Sequence, residues 1–186
     1  YLRAGITDFD DETLFLNIKQ VPPGHYIEVS LEEPGSAVAT RYWDVELMRT
    51  SDLSFEEAAD QIRKLFLSNI TLHQRSDVPI GAAVSGGVDS SSIVAVMRFL
   101  NPSLEIHAFS YVADDPRISE ECWIDLMGHA TKAIVHKVKP SQEDIVADLE
   151  QLIGVQGEPF MSTSMYAQFR VFQQARKAGV KVMLDG

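Results

Sequence analysis

One short segment carries residue types that could bind a charged ligand: AAVSGGVDSSSIV, residues 82–94. Its apolar start stops at a glycine pair, Gly86 and Gly87, and hydroxyl residues follow before apolar residues return at helical spacing. Two glycines remove two β-carbons where the chain leaves a strand, so the backbone can adopt positive φ and approach a ligand closely. The next helix is expected to begin near Asp89 or Ser90, and its free N–H groups and positive dipole end point at the same space. This corner is therefore a candidate cradle for phosphates.

The side chains around the glycine pair leave two interpretations open. The hydroxyls of Ser85, Ser90 and Ser91 could add donors, whereas the carboxylate of Asp89 is unexpected beside an anion. Asp89 fits there if it holds a divalent cation shared with phosphate oxygens, or if it caps the helix. The alternative is a plain strand-to-helix turn with an Asp or Ser cap. The spacing matches neither GxxxxGK[ST] nor GxGxxG, so nothing supports a P-loop NTPase or a Rossmann site.

The elements that must position this corner follow from residue 51 onward, where helical patterns alternate with short apolar strands. Ser54 and Glu57 form a capping box ahead of a helix whose apolar residues trace one face. The predicted strands cover residues 78–84, 105–111, 133–139 and 180–184, and the predicted helices include 118–131 and 164–179. This alternation predicts an α/β fold, a parallel sheet with helices on both faces. Ligands bind such sheets beyond the carboxyl ends of the strands, where Ser85 and Asp185 fall.

Residues 1–50 have a different texture, which places a domain boundary near residue 50. The segments HYIEVSL (25–31) and AVATRYW (37–43) are short β-type runs separated by the turn-forming residues EEPGS. They predict a β-hairpin. The chain is therefore expected to hold a short β-hairpin segment followed by an α/β domain over residues 51–186.

Composition excludes several classes of function. The 186 residues carry a net charge of −11, which argues against binding the backbone of a nucleic acid. No apolar run approaches the roughly 20 residues that span a bilayer, so no membrane association is expected. The single cysteine, Cys122, excludes an intramolecular disulfide and favours the reducing cytoplasm. We expect Cys122 to be a packed helix residue, and the five histidines show no metal-ligand spacing.

The segment SGGVDS, residues 85–90, resembles the signature of the PP-loop ATP pyrophosphatases, in which this loop holds pyrophosphate. TLFLNIKQVPPGHYIEV (13–29) and RYWD (41–44) are similar to the stretch that joins the glutaminase and synthetase domains of glutamine-hydrolysing asparagine synthetases. Residues 157–186 resemble the later synthetase segment that runs into a second nucleotide loop. By resemblance, residues 1–50 are the end of a glutaminase domain with its linker. Residues 51–186 are the ATP-binding part of a synthetase domain, from a longer protein.

The resemblance implies a chemistry and a set of site residues. Members of that family convert ATP and aspartate to β-aspartyl-AMP and pyrophosphate, and ammonia released from glutamine then attacks to give asparagine and AMP. The implied partners are small molecules (ATP, aspartate, and ammonia or glutamine) with Mg²⁺ as cofactor, and a homodimer is compatible with the family. Asp89 is the implied magnesium ligand, and no catalytic residue is assigned. The implied ATP-binding residues are Val84, Ser85, Gly86, Gly87, Asp89, Ser90, Tyr111, Asp185 and Gly186.

Two features limit what this chain alone is expected to do. It starts with Tyr1, whereas the family's glutaminase nucleophile is an amino-terminal cysteine. The residues that would follow Gly186 and complete the aspartate site are not in the sequence, so this chain alone is expected to be inactive. Two other interpretations stay open. One is a related enzyme that adenylates another carboxylate, of the β-lactam synthetase or peptide cyclase type, and the other is a non-catalytic nucleotide-binding domain.

Several further residues have a structural interpretation beside a functional one. The acidic loop at residues 114–116 follows the second strand and could approach ribose or magnesium, although a solvated turn is the simpler interpretation. Glu158 precedes Pro159 in a segment that the family keeps near its active site. Four aromatic residues are expected to pack in the core instead of stacking on a base: Phe160, Tyr166, Phe169 and Phe172.

Overall fold

The computed structural model describes residues 10–160 and 162–186, and the chain divides into two compact units between Asp52 and Leu53. In the first unit, strands β1 (His25–Glu28) and β2 (Val38–Arg41) pair antiparallel. The predicted hairpin is confirmed, with shorter strands than the sequence pattern indicated. The assignment of residues 1–50 to the end of a glutaminase domain stays a prediction.

The second unit is built on a four-stranded sheet in which every adjacent pair of strands is parallel. Its strands are β3 (Ile80–Ala83), β4 (His107–Tyr111), β5 (Ile134–Val138) and β6 (Val182–Leu184). Its helices are α1 (Phe55–His73), α2 (Val88–Leu100), α3 (Glu121–Thr131), α4 (Gln142–Gln156) and α5 (Thr163–Lys177). Strands and helices alternate as predicted, and each strand is a few residues shorter than its apolar run.

Helices cover both faces of this sheet. Successive strand residues point to opposite sides, so each strand contributes to the packing on both faces. Ala82, Ala108 and Leu184 belong to a core cluster that also contains buried residues of α1, α2 and α3. On the opposite face, Phe109 packs against Val171 and other residues of α5. The predicted fold class, a parallel sheet with helices on both faces, is confirmed.

The start of α1 is the predicted capping box, but its apolar face is mostly exposed. The Glu57 carboxylate accepts from the Ser54 N–H at 2.9 Å, and the Ser54 hydroxyl accepts from the Glu57 N–H. Ile70 is the buried residue of this helix, whereas Phe55 and Leu65 are 83% and 70% exposed.

The prediction that Cys122 is packed is wrong, since its side chain is exposed in the first turn of α3. Across the described ranges, the helices are too short or too polar to cross a membrane.

The strand order places a crevice beside β3. The sheet runs β5-β4-β3-β6, so the chain winds outward from β3 through β4 to β5 and then returns to the other side of β3. Such a reversal opens a gap between the carboxyl ends of the two strands that flank it, and ligands bind α/β sheets there. The residues that follow β3 and β6 are the SGGVDS turn and Asp185-Gly186.

Candidate functional site

The turn after β3 is anchored to β4 at its base. The Val84 N–H donates to the Phe109 carbonyl at 2.8 Å, and the buried Ser110 hydroxyl donates to the Val84 carbonyl at 2.5 Å. The strand therefore keeps its pairing up to the residue at which the turn begins. Because both backbone groups of Val84 are held by residues of β4, the position of the turn is set by the sheet.

Helix α2 begins at Val88, slightly earlier than predicted, and Gly87 is its N-cap residue. No side chain caps this end, so the interpretation of Asp89 as a helix cap is wrong. Asp89 instead lies exposed in the first turn of the helix. A helix that starts on glycine leaves its first N–H groups without a side-chain acceptor, and such a terminus favours an anion.

Serine hydroxyls tie the turn together. The Ser85 N–H donates to the Ser90 hydroxyl at 3.2 Å, and the two hydroxyl oxygens lie 3.1 Å apart. The Ser90 hydroxyl also donates to the Gly87 carbonyl at 3.3 Å. Ser90 is 5% exposed, so its hydroxyl stabilises the turn from inside, while Ser85 is exposed at the edge.

Gly86 occupies the left-handed region with φ of +88°, which favours glycine. A β-carbon added there would lie 3.1 Å from the Trp123 β-carbon and 3.2 Å from the Glu120 β-carbon. The start of α3 therefore packs directly against the turn. Both the backbone conformation and this close approach require glycine at position 86.

The end of β6 meets the same helix terminus. A β-carbon on Gly186 would lie 3.1 Å from the Ser90 nitrogen and 3.2 Å from the Asp89 carbonyl carbon. The Asp185 carboxylate accepts from the Gly186 N–H at 3.0 Å and from the Gln168 side-chain amide at 3.3 Å. The two segments expected to touch nucleotide, distant in sequence, are thus neighbours at the crevice.

A cavity of about 640 Å³ opens at this edge, within the usual size range of small-molecule sites. Five predicted residues line it: Val84, Ser85, Tyr111, Asp185 and Gly186. The other four, Gly86, Gly87, Asp89 and Ser90, form the adjoining turn and the first turn of α2. The structure therefore brings all nine predicted site residues to one edge of the sheet, and their roles in binding stay predictions.

Sequence reasoning missed part of the cavity wall. Glu120 and the first turns of α5 also line it, with Thr163, Ser164 and Gln168 among them. A run of small polar residues at the start of a predicted helix beside the ligand edge was the available signal. Tyr166 is 5% exposed, which confirms that it packs inside, but it lines the cavity as well.

The other residues considered from the sequence make contacts that do not involve the cavity. Asp115 pairs with Arg117 at 2.6 Å in a surface turn, and Glu158 is half-buried and is not among the residues lining the cavity. His107 Nδ1 and His136 Nε2 lie 2.8 Å apart between β4 and β5. Burial, and then the neighbouring His107, hold the pKa of His136 below its usual value. Phe172 is 43% exposed, so the expectation that it packs in the core is wrong.

The donor set fits Mg²⁺ only as an ion shared with a ligand. Within residues 10–160 and 162–186, no group of three or more His, Cys, Asp or Glu side chains could hold a metal. The carboxylates of Asp89 and Asp185 nevertheless belong to the same edge of the sheet. Mg²⁺ is typically bound by one or two carboxylates together with substrate phosphates and water, and these residues can supply that share.

Replacing Ser110 by alanine is expected to destabilise the base of the turn. The change removes the donor to the buried Val84 carbonyl, and an unsatisfied buried acceptor costs about 1–3 kcal/mol. Urea denaturation of Ser110→Ala should show that loss in the free energy of unfolding. Ser103→Ala, which removes an exposed hydroxyl, serves as the control and should stay close to wild type. Equal stability of the two variants would contradict this account of the turn.

The fold and the cavity define a doubly wound α/β domain with a glycine-paired strand-to-helix turn at its switch point. The asparagine synthase family model matches residues 61–186, and the chain belongs to this family. Asparagine synthetase [glutamine-hydrolyzing] 3 of Bacillus subtilis is 30% identical over 162 residues, covering 80% of this chain. A putative asparagine synthetase [glutamine-hydrolyzing] 2 of Methanocaldococcus jannaschii is 32% identical over 124 residues, or 67% of this chain.

The chain spans about a quarter of the length of these curated relatives, 26% and 24% respectively. Among more distant relatives is the amidase chyE of Penicillium rubens, 23% identical over 202 aligned positions that cover 100% of this chain and 30% of that protein. A solved structure of NMN synthetase from Francisella tularensis aligns with a TM-score of 0.39 and 14% identity, over 70% of this chain and 54% of that one.

Proposed function

We propose that residues 53–186 form the ATP-binding part of an enzyme that amidates aspartate to asparagine. In the proposed reaction, the aspartate side-chain carboxylate attacks the α-phosphorus of ATP, which gives β-aspartyl-AMP and releases pyrophosphate. Ammonia derived from glutamine then displaces AMP. The observation that carries the proposal is the packing of Gly186 against the first turn of α2, which joins two predicted nucleotide segments over one cavity.

The residues of this chain supply binding and orientation for the departing pyrophosphate. The N-terminus of α2 presents backbone N–H groups and a positive dipole end, which favour the β- and γ-phosphates. Positive φ at Gly86 and the absence of a β-carbon at Gly87 keep side chains away from that space. The adenosine part would occupy the cavity between Val84 and Tyr111.

Mg²⁺ is the expected cofactor, and Asp89 is the residue proposed to bind it, with Asp185 close to the same helix terminus. When bound, the ion would neutralise charge on the pyrophosphate leaving group. Asp89 is exposed, so its carboxylate is accessible to an ion. Its negative charge would be unfavourable beside bound phosphates unless a cation lay between them, which supports this role.

A related enzyme that activates another carboxylate is the second candidate. A protein named an amidase aligns with 100% of this chain, so the region also occurs in a protein that is not named an asparagine synthetase. This similarity supports the second candidate. The residues described here hold the nucleotide side of the proposed site, which such enzymes would have in common. A non-catalytic nucleotide-binding domain is the third interpretation.

Pyrophosphate release by the full-length natural protein tests these alternatives. The protein is incubated with Mg²⁺-ATP and ammonium, with or without aspartate, and AMP, ADP, pyrophosphate and orthophosphate are quantified. Aspartate-dependent formation of AMP and pyrophosphate in equal amounts is the expected result. Release that requires a different carboxylic acid would favour the second candidate, and no pyrophosphate release with any acid tested would exclude both enzymes.

A further inference from the structure

The pair of helices α4 and α5 is joined by a stripe of polar contacts that begins at the cavity wall. The Tyr166 hydroxyl donates to the Asp148 carboxylate at 2.9 Å, and Arg170 Nη1 lies 2.6 Å from the same oxygen, Oδ2. Arg170 also lies 3.7 Å from Asp144, which completes the capping box with Ser141 at the start of α4. The side chains of Asp148 and Arg170 are only 17% and 21% exposed, so this network is largely removed from water.

Tyr166 is the member that connects this network to the candidate site. Its side chain lines the cavity, while its hydroxyl is bonded away from the sheet to α4. Burial and then the hydrogen bond to Asp148 raise the pKa of Tyr166 to about 12, so the phenol stays a neutral donor at physiological pH. A hydrogen bond to a charged acceptor is stronger than one between neutral groups. Asp148 thereby helps to hold Tyr166, which forms part of one wall of the cavity.

At the cavity end of α5, the exposed Gln168 side-chain amide donates to the Asp185 carboxylate at 3.3 Å. Few other polar contacts support this end of the helix. Ser162, its N-cap residue, makes no side-chain capping bond. The core contacts of α5 come from Val171 and Ala175, further along the helix, which pack with Phe109. Tyr166 lies between these core contacts and the residues at the helix start that line the cavity. Its bond to Asp148 is therefore well placed to hold that start against α4.

We propose that Asp148 is a positioning residue that, through Tyr166, holds the first turns of α5 in the form that binds nucleotide. This inference rests on the proposed function, because it assigns a role to the wall of the same site. Asp148 itself does not touch the ligand in this proposal. Arg170 keeps its carboxylate in place, and Tyr166 transmits that position to the cavity.

Two variants of the full-length natural protein test the role. Tyr166→Phe removes only the hydroxyl and keeps the ring in the wall, and Asp148→Ala removes the acceptor. The matched control is Gln173→Ala, because Gln173 donates to Gln151 at 3.3 Å and also joins α5 to α4, but it lies outside the cavity wall. Tyr166→Phe and Gln173→Ala each remove one link between the same two helices, and Asp148→Ala removes two. Amide hydrogen exchange without ATP and the dissociation constant for Mg²⁺-ATP are measured for each.

In Tyr166→Phe, amide protection of residues 163–168 should fall, and the dissociation constant for ATP should rise roughly three- to tenfold. Asp148→Ala should change both quantities in the same direction, whereas Gln173→Ala should leave both near wild type. Unchanged protection at residues 163–168 in Tyr166→Phe would overturn the inference, and so would equal weakening of ATP binding by the control. If the wild-type protein binds no ATP, the proposed function fails, and the exchange data still decide whether Tyr166 orders the start of α5.

Discussion

Replacing Asp89 by alanine in the full-length natural protein is expected to abolish turnover of Mg²⁺-ATP. Asp89 lies exposed in the first turn of α2, beside the backbone of Gly186, and it is the carboxylate proposed to hold the magnesium ion. Without Asp89, the magnesium ion that would neutralise the pyrophosphate charge is no longer held in place. We therefore expect turnover to fall at least about a hundredfold, the size of loss seen when one group that stabilises developing charge is removed. Pyrophosphate release at saturating ATP is the measurement.

Two further variants separate charge from structure in this experiment. Asp89→Asn keeps the shape of the side chain and should be nearly as inactive as the alanine variant, because only the charge has gone. Asp77→Ala removes an exposed aspartate near the amino end of β3, at the opposite edge of the sheet, and should retain wild-type turnover. Wild-type activity in Asp89→Ala would remove the assignment of Asp89 as the metal-binding residue.

Replacing Gly86 by alanine should disable the turn itself. Its φ of +88° is unfavourable for any residue with a β-carbon, at a cost of about 1–2 kcal/mol. The new methyl group would also meet the Trp123 and Glu120 β-carbons at 3.1 and 3.2 Å, so α3 or the turn must shift. We expect ATP binding to weaken about tenfold or more and the free energy of unfolding to fall by about 1–3 kcal/mol.

Gly154→Ala is the matched control for that change. Gly154 lies inside α4, where an added β-carbon would contact nothing within 4 Å. Alanine is favoured over glycine in a helix by roughly 0.5–1 kcal/mol, so this variant should be slightly more stable and bind ATP normally. Isothermal titration calorimetry and urea denaturation compare the two variants directly. An effect of Gly86→Ala no larger than that of Gly154→Ala would show that the turn tolerates a side chain.

The sequence predicted the order of elements well, because each signal was local. Ser54 with Glu57 defined the start of α1, and the change from an apolar run to Gly86-Gly87 defined the end of β3. Alternating strands and helices predicted a parallel sheet, since antiparallel neighbours need no helical crossover. The common edge of Ser85 and Asp185 followed from that topology.

Burial was less predictable, because periodicity shows that a face is apolar and does not show what covers it. Phe55 and Leu65 belong to such a face of α1 but are exposed, and Cys122 on α3 is exposed as well. The contribution of Tyr166 to the cavity wall could not be predicted either. It depends on the packing of α5 over the carboxyl end of β4, which no local pattern encodes.

The central claim is that the SGGVDS turn holds the β- and γ-phosphates of ATP. A crystal structure of the full-length natural protein with Mg²⁺ and α,β-methylene-ATP, which resists cleavage at the relevant bond, tests it most directly. We predict β- and γ-phosphate oxygens within about 3.2 Å of backbone nitrogens of residues 86–90. The adenosine part should occupy the cavity between Val84 and Tyr111. A nucleotide whose phosphates lie elsewhere, with the turn contacting only protein or solvent, would contradict the claim.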